Sequence, residues 1–227
     1  MRKNQEYKNA ALAALKGSWP QAVIATFAMM VVSGLGTLAM WIVDKAGLLT
    51  VVSDPVAVAI VAVSAVLYST FLMMPLLVGI INAFNRLYYK SDRAVLSNTK
   101  DLTLEDTLRS IAGMFLMSIV TSVCSLALIV PGVLASFSLF LTPFLLKDNP
   151  ELSLVDTLRL SHKMMRGHKM QLFKLQLSFL GWGLLNVLTL GIGSLWLVPY
   201  ILTTMAAFYQ DVREQYIMKG DLQESAS

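Results

Sequence analysis

Four long stretches of this chain contain no charged residue, and they constrain its fold more than any other feature of the sequence. They cover residues 17–43, 55–85, 110–146 and 176–210. Seventeen of the eighteen lysines and arginines lie in 1–18, 82–110, 147–175 and 209–227, and only Lys45 falls elsewhere. Such alternation is typical of a chain threaded repeatedly through a bilayer, with its basic loops on the cytoplasmic side.

The composition agrees with a membrane location. Hydrophobic residues make up 56% of the chain and charged residues 14%, whereas soluble domains carry about 25% charged residues. We therefore exclude a water-soluble globule. The formal net charge is +4, but the basic excess flanks apolar segments, so retention beside an anionic leaflet explains it better than nucleic-acid binding. No nucleic-acid partner is expected.

The first apolar run predicts a retained membrane span. It extends from about residue 19 to Val43, far longer than the apolar core of a cleaved signal peptide. Trp19 and Trp41 are 22 residues apart, which is about 33 Å of helix. That length matches a hydrocarbon core of about 30 Å, and tryptophan prefers its two boundaries.

Turn signals divide the remaining runs into further spans. The second span opens at Pro55 and runs to about Asn85, with Pro75 as the expected kink. Run 110–146 is too long for one crossing, and Pro131-Gly132 divides it; Gly191-Ile192-Gly193 divides the last run. Six crossings result, at about 19–43, 55–85, 111–130, 133–146, 172–190 and 194–210.

The predicted fold class is therefore all-α. We expect a polytopic membrane protein with six transmembrane helices arranged as three hairpins, each preceded by a cytoplasmic amphipathic interfacial helix. Both termini are expected in the cytoplasm. One integral membrane domain covers 1–220, and 221–227 form a disordered tail.

Short sequence signatures predict the interfacial helices. The segments Thr103-Leu-Glu-Asp106 and Ser153-Leu-Val-Asp156 resemble capping boxes with Asp in place of Glu, and each is followed by Thr-Leu-Arg. A third candidate helix covers roughly 5–16. One of its sides carries the apolar residues Tyr7, Ala11, Leu12 and Leu15.

These helices indicate an internal repeat of three units, at about 4–90, 103–149 and 153–215. In each unit a glycine (Gly17, Gly113 or Gly167) connects the interfacial helix to the hairpin. Two further pairs match: Pro75 and Pro199 precede an Ala-Phe pair by the same offset. The middle unit departs from this pattern, because its proline is out of register.

Polar residues inside the predicted spans are few, and none is acidic. This argues against an ion-coupled carrier. The candidate intramembrane polar site consists of Asn186, Trp182, Ser118 and Ser122. Ser118 and Ser122 lie on a helix face of small side chains, and such faces usually let two helices pack closely. The alternative is that their hydroxyls line a polar path for a solute. We expect the Asn186 side chain to form a hydrogen bond between two helices. The alternative role for this side chain is contact with a ligand.

The densest basic cluster follows the third interfacial helix. Lys163, Arg166, His168 and Lys169 are expected at the headgroup level, where they would contact lipid phosphate or a partner. His162 and His168 are six residues apart, on different helix faces, so they lack the spacing of a helical metal pair.

No catalytic motif stands out in the sequence. It contains no G-x-S-x-G, no Gly-rich loop after a strand and no pair of carboxylates in an apolar setting. The single Cys124 lies in an apolar run and is interpreted as a small hydrophobic residue. We expect no catalytic residue, no metal and no cofactor, and thus no enzyme.

The third unit carries a family resemblance. Its motifs are Ser161-x-x-Met-Met-x-Gly-His-Lys169, Ser178-Phe-Leu-Gly-Trp182, Thr189-x-Gly-Ile-Gly193 and Pro199-Tyr200. With Leu15-Lys16-Gly17-x-Trp19, they resemble the bacterial integral membrane family catalogued as domain of unknown function 975. More distantly, the chain is similar to the membrane portion of some glycerophosphodiester phosphodiesterases. The resemblance implies a multi-pass protein of the bacterial cytoplasmic (inner) membrane, without an established activity.

Two functional hypotheses follow. The first is a non-enzymatic structural or accessory component that contacts lipid, most of all anionic lipid, at the cytoplasmic leaflet, or binds a membrane protein partner or a second copy of itself. The second is a small transporter or channel for an uncharged or lipid-like solute, which requires a cavity beside Asn186 and Trp182.

Overall fold

In the computed structural model, the described residues are 3–45, 74–90, 95, 104–127 and 129–225. Every regular element among them is an α-helix, so the all-α fold class is confirmed. In chain order the helices are α1 (Asn4–Leu15), α2 (Trp19–Lys45), α3 (Met74–Lys90), α4 (Leu104–Ala127), α5 (Ile129–Ser138), α6 (Thr142–Asp148), α7 (Leu154–Met164), α8 (Lys169–Leu177), α9 (Leu180–Leu188) and α10 (Ser194–Ser225).

Two segments of the described residues are long and apolar enough to cross a membrane. They are Trp19–Leu38 of α2 and Glu105–Ser125 of α4. Helix α2 is continuous over 27 residues, about 40 Å, as the first predicted span requires. Residues 46–73 fall outside the described part of the chain, so the start of the second span at Pro55 stays a prediction. Pro75 stands in the first turn of α3.

The Pro131-Gly132 pair is not the turn that the sequence predicted. Both residues lie inside α5, and α4 ends earlier, at Ala127. Pro131 is tolerated because it occupies the first turn of α5, where its missing N–H has no partner to lose. At Gly132 the two helices touch: a Cβ there would stand 2.8 Å from the Ser125 Cα. The glycine therefore serves close helix packing.

Three other predicted boundaries also differ. The interfacial helix of the second unit and the third span form one helix, α4, without interruption. The predicted spans 133–146 and 172–190 are each broken, the first between α5 and α6, the second at Ser178 and Phe179. The Ser178 hydroxyl donates to the Leu175 carbonyl oxygen at 2.6 Å, and such local bonds compete with helix continuation. The predicted break before α10 is confirmed, with Leu190 and Gly191 at φ 52° and 87°.

Helices α1 and α7 resemble one another in the positions that they bury. Tyr7, Ala11 and Leu15 are fully buried, and so are the residues 150 positions later, Thr157, Ser161 and Met165. Each helix then ends in a left-handed glycine, with φ 88° at Gly17 and 84° at Gly167. This backbone suits glycine, which has no Cβ to clash. Gly113, by contrast, lies inside α4.

A capping interaction starts α7 as the sequence predicted. The Asp156 backbone N–H donates to Ser153 Oγ at 3.1 Å, and the Ser153 hydroxyl donates to Asp156 Oδ2 at 2.6 Å. The hydroxyl thereby satisfies an N–H that the first turn leaves unpaired. The corresponding cap at Thr103 falls outside the described residues.

Two buried clusters hold the helices together. The larger joins α1, α6, α7, α8 and the middle of α10, and its fully buried members include Tyr7, Leu141, Leu172, Phe208 and Tyr209. The smaller joins the end of α1 to α2 and α3. Large apolar side chains on α2, on α4 and on α9 are exposed instead. The molecule thus combines a packed helical body with apolar segments that its own core does not cover.

Arg109 of α4 holds the end of α6 and the loop after it. Its guanidinium donates to the carbonyl oxygens of Leu146 (3.3 Å), Asn149 (3.0 Å) and Leu152 (2.5 Å). One charged side chain therefore joins the last turn of α6 to two carbonyl oxygens of the following loop. Arg159, which ends the other Thr-Leu-Arg triplet, forms only an exposed pair with Asp156 at 3.4 Å.

These two arginines give a matched test of the packing. We expect Arg109→Gln to lower the free energy of unfolding by about 2 kcal/mol, because charged hydrogen bonds to three carbonyls are lost. Arg159→Gln should change it by less than about 0.5 kcal/mol, as is usual for exposed ion pairs. Thermal unfolding in detergent micelles measures both. Equal losses in the two variants would contradict the structural role of Arg109.

Candidate functional site

A polar cavity opens where α3, α6 and α10 meet. Its volume is about 370 Å³. Each of the three helices contributes one basic residue to the wall: Arg86, Lys147 and Arg213 respectively. The other lining residues are Asn82, Asn85, Tyr89, Asp148 and Gln210.

Buried amides fix the walls of this cavity. The Gln210 side chain donates to Asn85 Oδ1 at 2.8 Å and so connects α10 to α3. The Asn82 amide donates to the carbonyl oxygens of Val78 at 2.8 Å and Pro143 at 3.3 Å, which connects α3 to α6. All three amide residues are buried. Because buried amides are costly to leave unpaired, these bonds hold the basic residues in one arrangement.

Acidic side chains lie beside two of the basic groups. The Lys147 ammonium lies 2.5 Å from an Asp106 carboxylate oxygen, and Arg213 lies 3.8 Å from Asp148. The Tyr209 hydroxyl also donates to Asp148 at 2.7 Å.

The arrangement suits an anion with several oxygen acceptors. Three basic groups and one carboxylate line the cavity, and guanidinium groups match the geometry of phosphate and carboxylate oxygens. The sequence analysis missed this site, because it treated Arg86, Lys147 and Arg213 only as markers of the cytoplasmic side. One shared feature of the sequence could have indicated the site. Each of these three basic residues follows a phenylalanine by at most five positions, in the last helix of its repeat unit.

The predicted lipid-contact cluster forms a separate surface. Lys163 and Arg166 are exposed and Lys169 is partly exposed. His168, however, is buried and only 6% exposed. The left-handed turn at Gly167 directs it inward, at the position equivalent to the buried Ser18. The surface cluster therefore consists of Lys163, Arg166 and Lys169, which we call the basic patch.

Helix α8 beside the basic patch carries apolar side chains on its exposed side as well as on its buried side. It buries Leu172 and Leu175 in the core, whereas Met170, Phe173 and Leu177 are exposed. The three exposed side chains share one face, since they are three and four residues apart. An exposed apolar face flanked by lysines is typical of a helix lying in the membrane interface.

A second cavity contains two residues of the predicted intramembrane site. Its volume is about 350 Å³, and its lining is almost entirely apolar: Leu12, Trp19, Trp182, Leu185, Asn186, Thr189, Gly193, Trp196, Leu197 and Tyr200. The Asn186 Oδ1 atom is buried and has no hydrogen-bond partner. Ser118 and Ser122 are not in this lining; both are exposed on α4. The structure thus unites Asn186 with Trp182 and separates the two serines from them.

A buried polar cluster joins α1, α8 and α10. The Tyr7 hydroxyl donates to the Asp211 carboxylate. Gln215 donates to the same carboxylate at 3.0 Å, and Gln171 donates to the Tyr7 oxygen at 3.0 Å. Among the described residues, no group of three His, Cys, Asp or Glu side chains could hold a metal ion. We assign this cluster to helix packing.

This assignment predicts strong coupling between Tyr7 and Asp211. Tyr7→Phe and Asp211→Asn should each lower the free energy of unfolding by about 1 to 3 kcal/mol, because each leaves a buried polar group short of a partner. The double variant should lose less unfolding free energy than the sum of the two single-variant losses. A double-mutant cycle from unfolding in micelles measures the coupling, and strict additivity would contradict the assignment.

A comparison with protein families identifies the chain. The family model described as "Protein of unknown function (DUF975)" matches residues 56–216, more than half of the chain, so the chain belongs to this family. The match contains the motifs of residues 161–209 and confirms that resemblance. The likeness to the phosphodiesterase membrane portion stays a prediction. No curated protein and no solved structure matches the chain.

Proposed function

We propose that this member of the DUF975 family is a non-enzymatic structural or accessory component of the bacterial cytoplasmic membrane, and that it binds anionic phospholipid at the cytoplasmic leaflet. The observation that carries the proposal is the polar cavity between α3, α6 and α10. Its basic residues come from three helices, and buried amides hold them in place.

The position of the cavity favours lipid as the ligand. Helices α2, α4 and α9 extend from the packed body with exposed apolar side chains, which suit a hydrocarbon environment. The basic patch and the apolar face of α8 lie on the same packed body, where an interfacial surface would meet headgroups. The phosphate of a lipid in that leaflet is therefore the anion that we propose for the polar cavity.

The proposal includes a multi-pass topology with both termini in the cytoplasm. It rests on the distribution of basic residues, which lie almost entirely between the charge-free stretches. It also includes the internal repeat, which the equivalent burial of α1 and α7 supports. A membrane protein partner and a second copy of the chain are the alternative ligands of the basic patch.

The lipid proposal can be tested with two charge-removing variants. The cavity variant carries both Arg86→Gln and Arg213→Gln. We expect less anionic phospholipid to copurify with it, because each basic residue near the membrane surface adds about 1 kcal/mol of attraction to anionic lipid. The basic-patch variant, with glutamine at 163, 166 and 169, should lose less, since exposed charges are better screened. Lipid mass spectrometry of the extracted protein measures the ratio of anionic to zwitterionic lipid.

Arg159→Gln is the matched control. It removes one exposed charge that already pairs with Asp156, so the lipid ratio should stay that of the unaltered protein. Melting temperatures of all variants separate loss of binding from loss of folding. An unaltered protein without enrichment of anionic lipid, or a folded cavity variant with the full ratio, would contradict the proposal.

The apolar cavity supports a second candidate function, the binding or passage of a lipid-like solute. The specific observation is the buried Asn186 Oδ1, which lacks a donor in a cavity of about 350 Å³. A ligand hydroxyl or amide could supply that donor.

Native mass spectrometry of gently extracted protein tests this candidate. A retained ligand should dissociate more readily from Asn186→Leu, which keeps the side-chain volume but removes the acceptor. Ser118→Ala is the control, because its hydroxyl bonds only to its own helix, at the Phe115 carbonyl oxygen. A ligand held equally by all three proteins would contradict a role for Asn186, and a cavity without a ligand would contradict this function.

A further inference from the structure

We propose that the hairpin formed by α9 and the first half of α10 enters only the cytoplasmic leaflet and returns to the cytoplasmic side. The hairpin tip, residues 189–194, would then lie in hydrocarbon near the bilayer midplane. The proposal rests on the membrane location given above and changes the topology of the last two predicted spans.

The depth of the hairpin follows from its contact with α2. At the tip, the Ser194 hydroxyl lies 3.7 Å from the Met30 sulfur. Met30 is 11 residues beyond Trp19, which is about 16 Å along the helix. Trp19 marks the cytoplasmic boundary, so the tip reaches about half of a 30 Å hydrocarbon core. Helix α2 continues for another 15 residues, to Lys45.

The other end of the hairpin lies at the cytoplasmic body. The Lys8 ammonium of α1 donates to the Ser178 carbonyl oxygen at 2.9 Å and stands 4.4 Å from the centre of the Phe179 ring. The α8–α9 junction is therefore at the level of the interfacial helix α1. From there α9 runs for only nine residues, about 14 Å, in agreement with the depth at Met30.

The first half of α10 returns from the tip to the cytoplasmic side over the same depth. Tyr200 of α10 and Trp19 of α2 line the same apolar cavity. Because Ser194 lies beside Met30, helix α10 runs antiparallel to α2 and approaches the level of Trp19 near Tyr200. From the tip to Tyr200, α10 covers seven residues, about as many as the nine of α9, and neither length crosses the bilayer upright.

The hairpin tip satisfies its own backbone, as burial in hydrocarbon requires. Every backbone N–H from Thr189 to Leu197 has an acceptor within the hairpin. Gly193 is the one that uses a side chain, the Thr189 hydroxyl oxygen at 3.1 Å. The Ser194 hydroxyl donates to the Gly191 carbonyl oxygen. A turn without unpaired donors tolerates an environment without water.

The exposed side chains of the hairpin are those of a lipid-facing segment. Leu190 is 93% exposed and Leu188 78%, and Val187 and Ile192 are also largely exposed. At the outer surface these side chains would face water and headgroups. At the midplane they face acyl chains, which favours hydrocarbon as the occupant of this surface.

The charge pattern is compatible with this placement. A hairpin that returns to its starting side leaves the C-terminal segment in the cytoplasm, as a full double crossing would. The uncharged run 176–210 fits both topologies by composition alone. The contact with Met30 distinguishes them.

Site-specific labelling of the full chain tests the proposal. Cys124 is the only cysteine, so a Cys124→Ser background allows single cysteines at Leu190, Ile192, Met30 and Lys45. A charged, membrane-impermeant maleimide added to spheroplasts should label Lys45→Cys. It should not label Leu190→Cys, Ile192→Cys or Met30→Cys until detergent is added.

Spin labels at the same four positions give the depth directly. Both tip positions should show the high oxygen and low nickel-chelate accessibility of Met30→Cys. Labelling of the tip from outside, as at Lys45→Cys, would overturn the proposal. Exclusion of both oxygen and nickel would also overturn it, because protein rather than lipid would then cover the tip. A chain that does not fractionate with membranes would instead contradict the proposed function.

Discussion

The packing of α10 against the other units is the interaction on which the rest of the structure depends. Phe208 meets the Tyr7 ring edge-on, with 5.8 Å between centroids, and Tyr209 stacks on Phe144 at 4.8 Å. These adjacent residues join α10 to α1 on one side and to α6 on the other. Because both rings are fully buried, a large apolar area and two specific aromatic contacts fix the three helices together.

Both candidate sites follow from that packing. On the C-terminal side of the two rings, Gln210 and Arg213 of α10 help to line the polar cavity with residues of α3 and α6. On the N-terminal side, Leu197 and Tyr200 line the apolar cavity with residues of α2 and α9. One continuous helix thus separates a cation-lined site from an apolar one. This order is what a phospholipid presents, with its charged headgroup outside and its acyl chains inside.

Much of the helical body could be predicted from the sequence. The cap of α7, the glycine break before α10 and the buried face of α1 (except Leu12, which is exposed) follow from local rules of helix periodicity and termination. The polar cavity could not be predicted, since its residues are up to 131 positions apart along the chain (82 to 213). The burial of His168 was not predicted either, because it follows a left-handed turn at Gly167 and depends on the folded packing around it.

By itself the sequence determined that the chain is helical, that long stretches suit hydrocarbon and which segments carry the basic residues, because these depend on composition and local periodicity. Only the tertiary structure decided how far the last apolar run extends along α2. An uncharged run of a given length fits one tilted crossing, two short ones or a hairpin that returns. The contact between Ser194 and Met30 selects among them, and no local pattern contains a contact between residues 164 positions apart.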